Sequence, residues 1–271
     1  MRLAICADEI SQDFLTAVEL GVEWGIRWFE LRRFRSGRVP LISDDDRERI
    51  LPIVEDYNVG ISALSPGLLK VPADAPDLDE RINDLLPRTF DLARALGTKR
   101  VVCFSFLKDD RAEHLPPGAF PSEVIEHMGR VAEAAAAAGV HLLLENEAVC
   151  WGDTGRNAAA LIRQVGSDSL RLNWDPGNAY SAGSDRPFPD EYNEVKDLVA
   201  HVHVKDIAGD DPGRRRAVPV GDGEIDWPGQ IRALVRDGFD GFYTIETHHR
   251  PLVQASRRCV DAFRRMVVDV V

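Results

Sequence analysis

The chain has 271 residues, 44% of them hydrophobic, and a formal charge of −12. That length holds one large α/β domain or two small ones with a sizeable core. The acidic balance argues against nucleic acid as the main partner, because phosphate backbones select basic surfaces.

In chain order, the opening "MRLAICADEISQ" meets acidic residues too early for a signal peptide. No apolar run approaches the ~20 residues that span a bilayer. Cys6, Cys103, Cys150 and Cys259 form no CxxC pair and read as reduced, mostly buried small hydrophobes. A cytoplasmic protein is expected. Eight apolar, β-rich runs follow: 2–8, 28–32, 59–65, 100–106, 140–147, 170–175, 200–206 and 241–247. Helical patterns lie between them. In "DFLTAVELGVEWG", Phe14, Val18 and Val22 share one face, and "DDRERILPIVEDYN" opens on an Asp cap. Gly97 and Gly139 fit C-caps of the next two helices. The run Ala134–Ala138 suits a helix packed tightly on its neighbours. "NAAALIRQVG", "DEYNEVKDLV" and "DWPGQIRALVRDG" continue the alternation, and "LVQASRRCVDAFRRMVVDV" closes it.

Strand and helix alternating eight times predict an α/β fold, a (β/α)8 TIM barrel formed as a single domain by residues 1–271. The rival, an open doubly wound sheet, lacks its GxGxxG fingerprint. Two long loops, "LKDDRAEHLPPGAFPS" after the fourth strand and "IAGDDPGRRRAVPVGDGEIDWPGQ" after the seventh, belong on the C-terminal rim, where barrel enzymes place their sites.

Four consecutive strands end in residues that a core excludes. The fifth ends in Glu145 and Glu147, the sixth in Asp175, the seventh carries His201 and His203, and the eighth ends in Glu246. Each has an ordinary alternative. Glu145 suits an exposed loop, "DPGN" suits a type II turn, His203 suits a satisfied core histidine, and Glu246 suits a pair with Arg250. Jointly they predict more. A barrel gathers the strand ends above its core, and buried charges need pairing or a metal. Three carboxylates and one imidazole around a point suit one divalent ion, Mn, Mg, Co or Zn, with positions open to substrate.

The stretches "LLLENE", "LNWDPGNAY", "HVHVKD", "VPVGDGEIDW" and "YTIETH" resemble the xylose isomerase-like barrels, the sugar phosphate isomerases/epimerases. The resemblance covers nearly the whole chain. It implies that Glu145, Asp175, His203 and Glu246 hold one divalent metal. It also implies that Glu145 and Glu246 move protons on either face of the substrate. Such a centre polarises a carbonyl and its neighbouring hydroxyl, a carboxylate takes the adjacent proton, and the enediolate is held by the metal's charge. Returning the proton to the other carbon isomerises, returning it to the opposite face epimerises, and losing a β-hydroxyl dehydrates.

The expected function is therefore a metal-dependent isomerase or epimerase of a small sugar, sugar phosphate or hydroxy-keto compound in carbohydrate metabolism. Its alternatives are an inosose-type dehydratase and a non-catalytic sugar- or metal-binding barrel. An AP endonuclease is disfavoured, since "SALSPG", "VCFSF" and Asn178 stand where that type carries further metal histidines. The expected partner is a small sugar-like substrate, with no nucleic acid, no membrane, and a homodimer as the assembly entertained.

Around this centre His201 reads as a support one step deeper, or else a ligand or substrate contact. Lys205 is expected to bind a substrate anion or to pair with Glu145, Glu147 or Asp206. Asn178 stands where related epimerases place a histidine for a substrate hydroxyl, so the resemblance implies a substrate contact there that the asparagine alters. Glu30 faces the pocket or pairs with Arg32 or Arg33. Trp151 walls the site, whereas Trp174 is core. Arg215, in the run Arg214–Arg216, meets a substrate phosphate or carboxylate, or lies on a solvated loop. His248 and His249 read as rim residues.

Overall fold

The computed structural model describes residues 1–209 and 211–270. Its ten strands are β1 (Arg2–Cys6), β2 (Trp28–Leu31), β3 (Gly60–Leu64), β4 (Arg100–Cys103), β5 (His141–Glu145), β6 (Leu170–Trp174), β7 (Val199–Val204), β8 (Asp206–Ala208), β9 (Arg216–Val218) and β10 (Phe242–Ile245). All but β8 and β9 form one closed parallel barrel in the order β1–β10–β7–β6–β5–β4–β3–β2. Each of the eight predicted runs supplies one barrel strand that ends before the apolar run does, and β7 begins one residue ahead of its run.

Helices cover the barrel because its strands are apolar on their outward face as well. Phe14 and Val18 of the helix Phe14–Glu23 are buried, while Val22, expected on the same face, is half-exposed. The alanine run lies in the helix Ser122–Ala138, where Ala132 and Ala135 are buried but Ala136 and Ala137 face outward. That helix stops at Gly139, whose φ of 67° satisfies a left-handed cap that a Cβ would strain.

The long loop after β7 is more ordered than its composition predicts. β8 and β9 pair antiparallel, Asp206 opposite Val218 and Ala208 opposite Arg216. The organiser is the Asp206 carboxylate, which accepts from the backbone N–H groups of Ile207, Gly221, Gly223 and Ile225 at 2.8–3.2 Å. A side chain at Gly223 would place its Cβ 2.3 Å from Asp206 Oδ1, so the glycine lets the loop close on the carboxylate.

The barrel interior is divided. Ala63, Val102 and Leu143 form a small apolar cluster on the β3–β5 side, separate from the large core between strands and helices. On the other side Glu30, Asn173, His201 and Thr244 are all fully buried. Barrel interiors are usually layers of branched apolar residues. Polar side chains at this depth need partners: Glu30, His201 and Thr244 find them in one another and in His203, whereas the Asn173 amide has none. No helix among the described residues is long and apolar enough to cross a membrane.

Candidate metal centre

Glu145 ends β5, Asp175 follows β6, His203 lies near the end of β7 and Glu246 follows β10. Parallel register puts Glu145 beside Asn173, and Thr244 beside His203, so the next inward residues converge above. One ligand atom from each of Glu145, Asp175, His203 and Glu246 lies within 4.8 Å of the others, and none of the four residues is more than 4% exposed.

The contacts identify those atoms. His203 Nε2 is 3.2 Å from both oxygens of Glu30, which leaves Nδ1 facing the centre, 3.4 Å from Glu145 Oε2 and 3.5 Å from Glu246 Oε2. Asp175 opens the helix Pro176–Ser181, its Oδ1 accepting from Asn178 N–H at 2.8 Å, so Oδ2 is the free oxygen. "DPGN" is thus a helix cap, not a type II turn: proline takes the first turn and the aspartate caps it. Asn146 fixes the Asp175 backbone from both sides, at 2.9 and 2.8 Å.

His203 Nδ1, Asp175 Oδ2 and Glu246 Oε2 are buried without a hydrogen-bond partner. Buried polar atoms left without hydrogen bonds are costly, and here only the charge of Lys205, on the two carboxylate oxygens, offsets that cost. An oxygen-rich set with one imidazole suits a hard or borderline divalent ion, so the residues present fit the metal that the sequence implies.

Glu30 is neither pocket wall nor a partner of Arg32 or Arg33. It lies fully buried beneath the centre, touching His203 and, at 3.1 Å, His201 Nε2. Burial alone would raise its carboxyl. The His203 charge and the bonds from both imidazoles outweigh that and hold it well below the usual range. His201 is the expected deeper support rather than a ligand or substrate contact: it is fully buried, and Thr244 Oγ1 lies 2.8 Å from Nε2.

Lys205 pairs with other carboxylates than those expected. Its Nζ lies 2.9 Å from Asp175 Oδ2 and 2.5 Å from Glu246 Oε2, at ion-pair distance but outside hydrogen-bond alignment. Glu147 instead pairs with Lys70 at 2.6 Å, and Asp206 holds its loop. Burial disfavours the Lys205 charge, but Asp175, Glu246 and Glu145 together keep the ammonium well above its usual range. The lysine stem passes over Gly177, where a Cβ would come within 2.6 Å of Cγ.

Asn178 contacts the protein's own groups. Its Nδ2 donates to Glu145 Oε1 and to Asn146 O, both at 2.9 Å, and its Oδ1 lies 3.2 Å from Lys205 Nζ. Trp151 is buried with an unpartnered indole N–H, and Trp174 is core, donating to Gln230 at 2.8 Å. Arg215 is not brought to the centre. Its guanidinium stacks 3.8 Å from the Tyr180 ring and donates to the Tyr180 carbonyl, while Arg214 and Arg216 are exposed.

Two cationic contacts of Glu246 escaped the sequence reading. Arg32 donates to Glu246 Oε1, to Glu9 at 2.7 Å and to Asp8 at 3.0–3.1 Å. His248, expected on the rim, places Nε2 3.1 Å from Glu246 Oε1 and Nδ1 2.9 Å from Glu9. The Glu246 charge raises the His248 imidazole to about 9. Glu246 itself, despite burial, is held well below its usual range by His248, Lys205 and His203. The signal was available: Asp8 and Glu9 follow β1 as Glu145 ends β5, and Arg32 directly follows β2.

The chain belongs to the xylose isomerase-like TIM barrel family, whose model matches residues 18–266. A curated relative, the Escherichia coli (strain K12) protein named "Putative L-ribulose-5-phosphate 3-epimerase SgbU", is 26% identical over 62% of this chain and 58% of its own. The chain spans about half the length of the curated relatives it matches. Among solved structures, the probable 3-DHS dehydratase AsbF of Bacillus anthracis superposes with a TM-score of 0.78 at 20% identity, over 97% of this chain and 99% of its own. The IOLI protein with a bound zinc atom gives 0.79 at 18% identity, over 100% and 98%. At such identities the structures speak for the fold.

Proposed function

We propose that this protein is a divalent-metal-dependent isomerase or epimerase that enolises a small sugar-like hydroxy-carbonyl compound. The observation that carries the reading is the convergence of one ligand atom each from Glu145, Asp175, His203 and Glu246 in a buried site, where His203 Nδ1, Asp175 Oδ2 and Glu246 Oε2 have no hydrogen-bond partner and the two carboxylate oxygens are met only by the Lys205 charge. A divalent ion held by these four residues supplies Lewis acidity to the substrate carbonyl and the adjacent hydroxyl. The family, and the epimerase name carried by the E. coli relative, support the sugar class.

The chain's own groups divide the remaining work. Glu145 takes the proton from the carbon next to the carbonyl: its Oε1 carries one neutral donor, Asn178, and keeps a lone pair free. Glu30 holds the His203 ring with Nδ1 toward the centre. The Lys205 ammonium is the group suited to donate to the oxygen on which charge develops, or to a carboxylate of the substrate. Glu246 returns the proton in the epimerase reading.

A second reading, dehydration, is favoured by Glu246. Its Oε1 meets two cationic donors, Arg32 and His248, and its Oε2 faces the centre. A carboxylate so occupied is a poor second base, and elimination of a β-hydroxyl needs only one. The dehydratase name of AsbF accords with this route.

The test is proton exchange. Mn-loaded protein is incubated in heavy water with ketoses, ketose phosphates, inososes and hydroxy-keto acids, and C–H signals are followed by NMR. Metal-dependent deuterium uptake is expected, and the product separates epimer, isomer and dehydrated compound. Asp175→Ala and His203→Ala are each expected to lose the metal. Full occupancy in both would end the assignment.

A further inference from the structure

We propose that the Lys205 ammonium is a built-in counter-ion to Asp175 and Glu246 that competes with the divalent ion for them, so that metal loading drives it out from between them. The inference rests on the reading that Glu145, Asp175, His203 and Glu246 hold a metal. Asp175 Oδ1 is committed to Asn178 N–H, and Glu246 Oε1 to Arg32 and His248. Each carboxylate therefore has one oxygen left for the centre, and Lys205 Nζ sits 2.9 and 2.5 Å from those two oxygens. A divalent ion needs both oxygens at about 2.0–2.6 Å. An ammonium left beside them in a buried site meets strong like-charge repulsion.

The surroundings permit the exchange. The Lys205 carbonyl accepts from Trp227 Nε1 at 3.0 Å, which anchors the backbone and confines movement to the side chain. The aliphatic stem lies where Gly177 presents no Cβ. Arg32 and His248 hold the other oxygen of Glu246, so Lys205 is the cation that must yield. Its departure also frees Asn178 Oδ1, 3.2 Å from Nζ, without disturbing the bond from Asn178 to Glu145. Ion loading and presentation of a free ammonium beside the centre thereby become one event.

The experiment uses the full chain, stripped with chelator and titrated with Mn2+, the free ion being counted by electron paramagnetic resonance. Lys205→Gln and Lys205→Met are expected to bind Mn2+ on the order of tenfold more tightly than wild type, a usual size for coupling between two sites. Equal or weaker binding overturns the inference. Because the variants leave carboxylates unpaired, a second measurement is made on the wild type. Reductive methylation of Lys205, read by peptide mass spectrometry, is expected to be blocked in the metal-free protein and to proceed in the Mn-loaded one. The same reactivity in both states overturns it. If neither wild type nor variants bind Mn2+, the metal reading itself falls; if all bind equally, the counter-ion inference falls alone.

Discussion

Replacing Glu30 by glutamine tests the layer beneath the centre. The carboxylate makes contacts of 3.1–3.2 Å to His201 Nε2 and His203 Nε2 and is fully buried. Removing one partner of a buried charge pair costs about 3–5 kcal/mol. The amide oxygen keeps one neutral hydrogen bond worth about 1 kcal/mol. The expected net loss is about 2–4 kcal/mol, which for a chain of this size lowers Tm by roughly 4–16 °C. Glutamine also offers an N–H where His203 needs an acceptor. That favours the tautomer with its proton on Nδ1, and metal affinity is expected to fall about 10–100-fold. Urea unfolding in chelator measures the first effect and Mn2+ titration the second. The sign with pH is fixed. Burial opposes the Glu30 charge, but the two imidazoles more than offset it and depress the carboxyl, so its contribution is complete above the unfolded value near ~4.3 and is lost as pH falls. The gap between wild type and Glu30→Gln should persist at neutral pH and close on acidification. A variant equal to wild type in both stability and metal affinity would refute the assignment of Glu30 as the support of His203.

Gly177→Ala is expected to displace the Lys205 stem, since the new Cβ would sit 2.6 Å from Cγ. Methylation of Lys205 should then proceed in the metal-free protein, and continued protection would contradict the contact. Asp206→Asn retains at most part of four backbone hydrogen bonds, so limited proteolysis is expected to cut within 219–225 while the barrel resists. His248 is raised to about 9, mainly by Glu246, so its stabilisation is complete below the unfolded value near ~6.5 and is lost as pH rises through 9. In metal-free protein the urea midpoint should drop over that window in wild type and stay level in His248→Gln.

What the sequence disclosed depended on range. The strand ends were legible because an ionisable residue closing an apolar run is conspicuous, and a barrel leaves such residues one place to go. Glu145, Asp175, His203 and Glu246 met accordingly. The partners of Lys205 were not legible. Strand alternation says which way a side chain points but not which carboxylate waits there. Arg32 lies 214 residues from Glu246 and Glu30 171 from His201, and no period in a sequence encodes such pairs. The hairpin of β8 and β9 was hidden by its Gly, Pro and Arg content, because its order comes from one buried carboxylate rather than from β-branched residues. In the sequence the charge of Arg215 suits a ligand or a solvated loop; stacking on Tyr180 satisfies it within the chain.

Gly177 and Lys205 also constrain the order in which this centre can change over generations. The glycine is required chiefly while a long side chain occupies 205, because Cγ and Cδ of that lysine are the atoms nearest its absent Cβ, with Asp175 Oδ1 next at 3.3 Å. A lineage that first shortened residue 205 would release position 177 to drift. Once a side chain had settled there, the lysine could not come back in a single step. The pair works as a ratchet, and a descendant that has passed it keeps its four ligands but carries no resident cation among them.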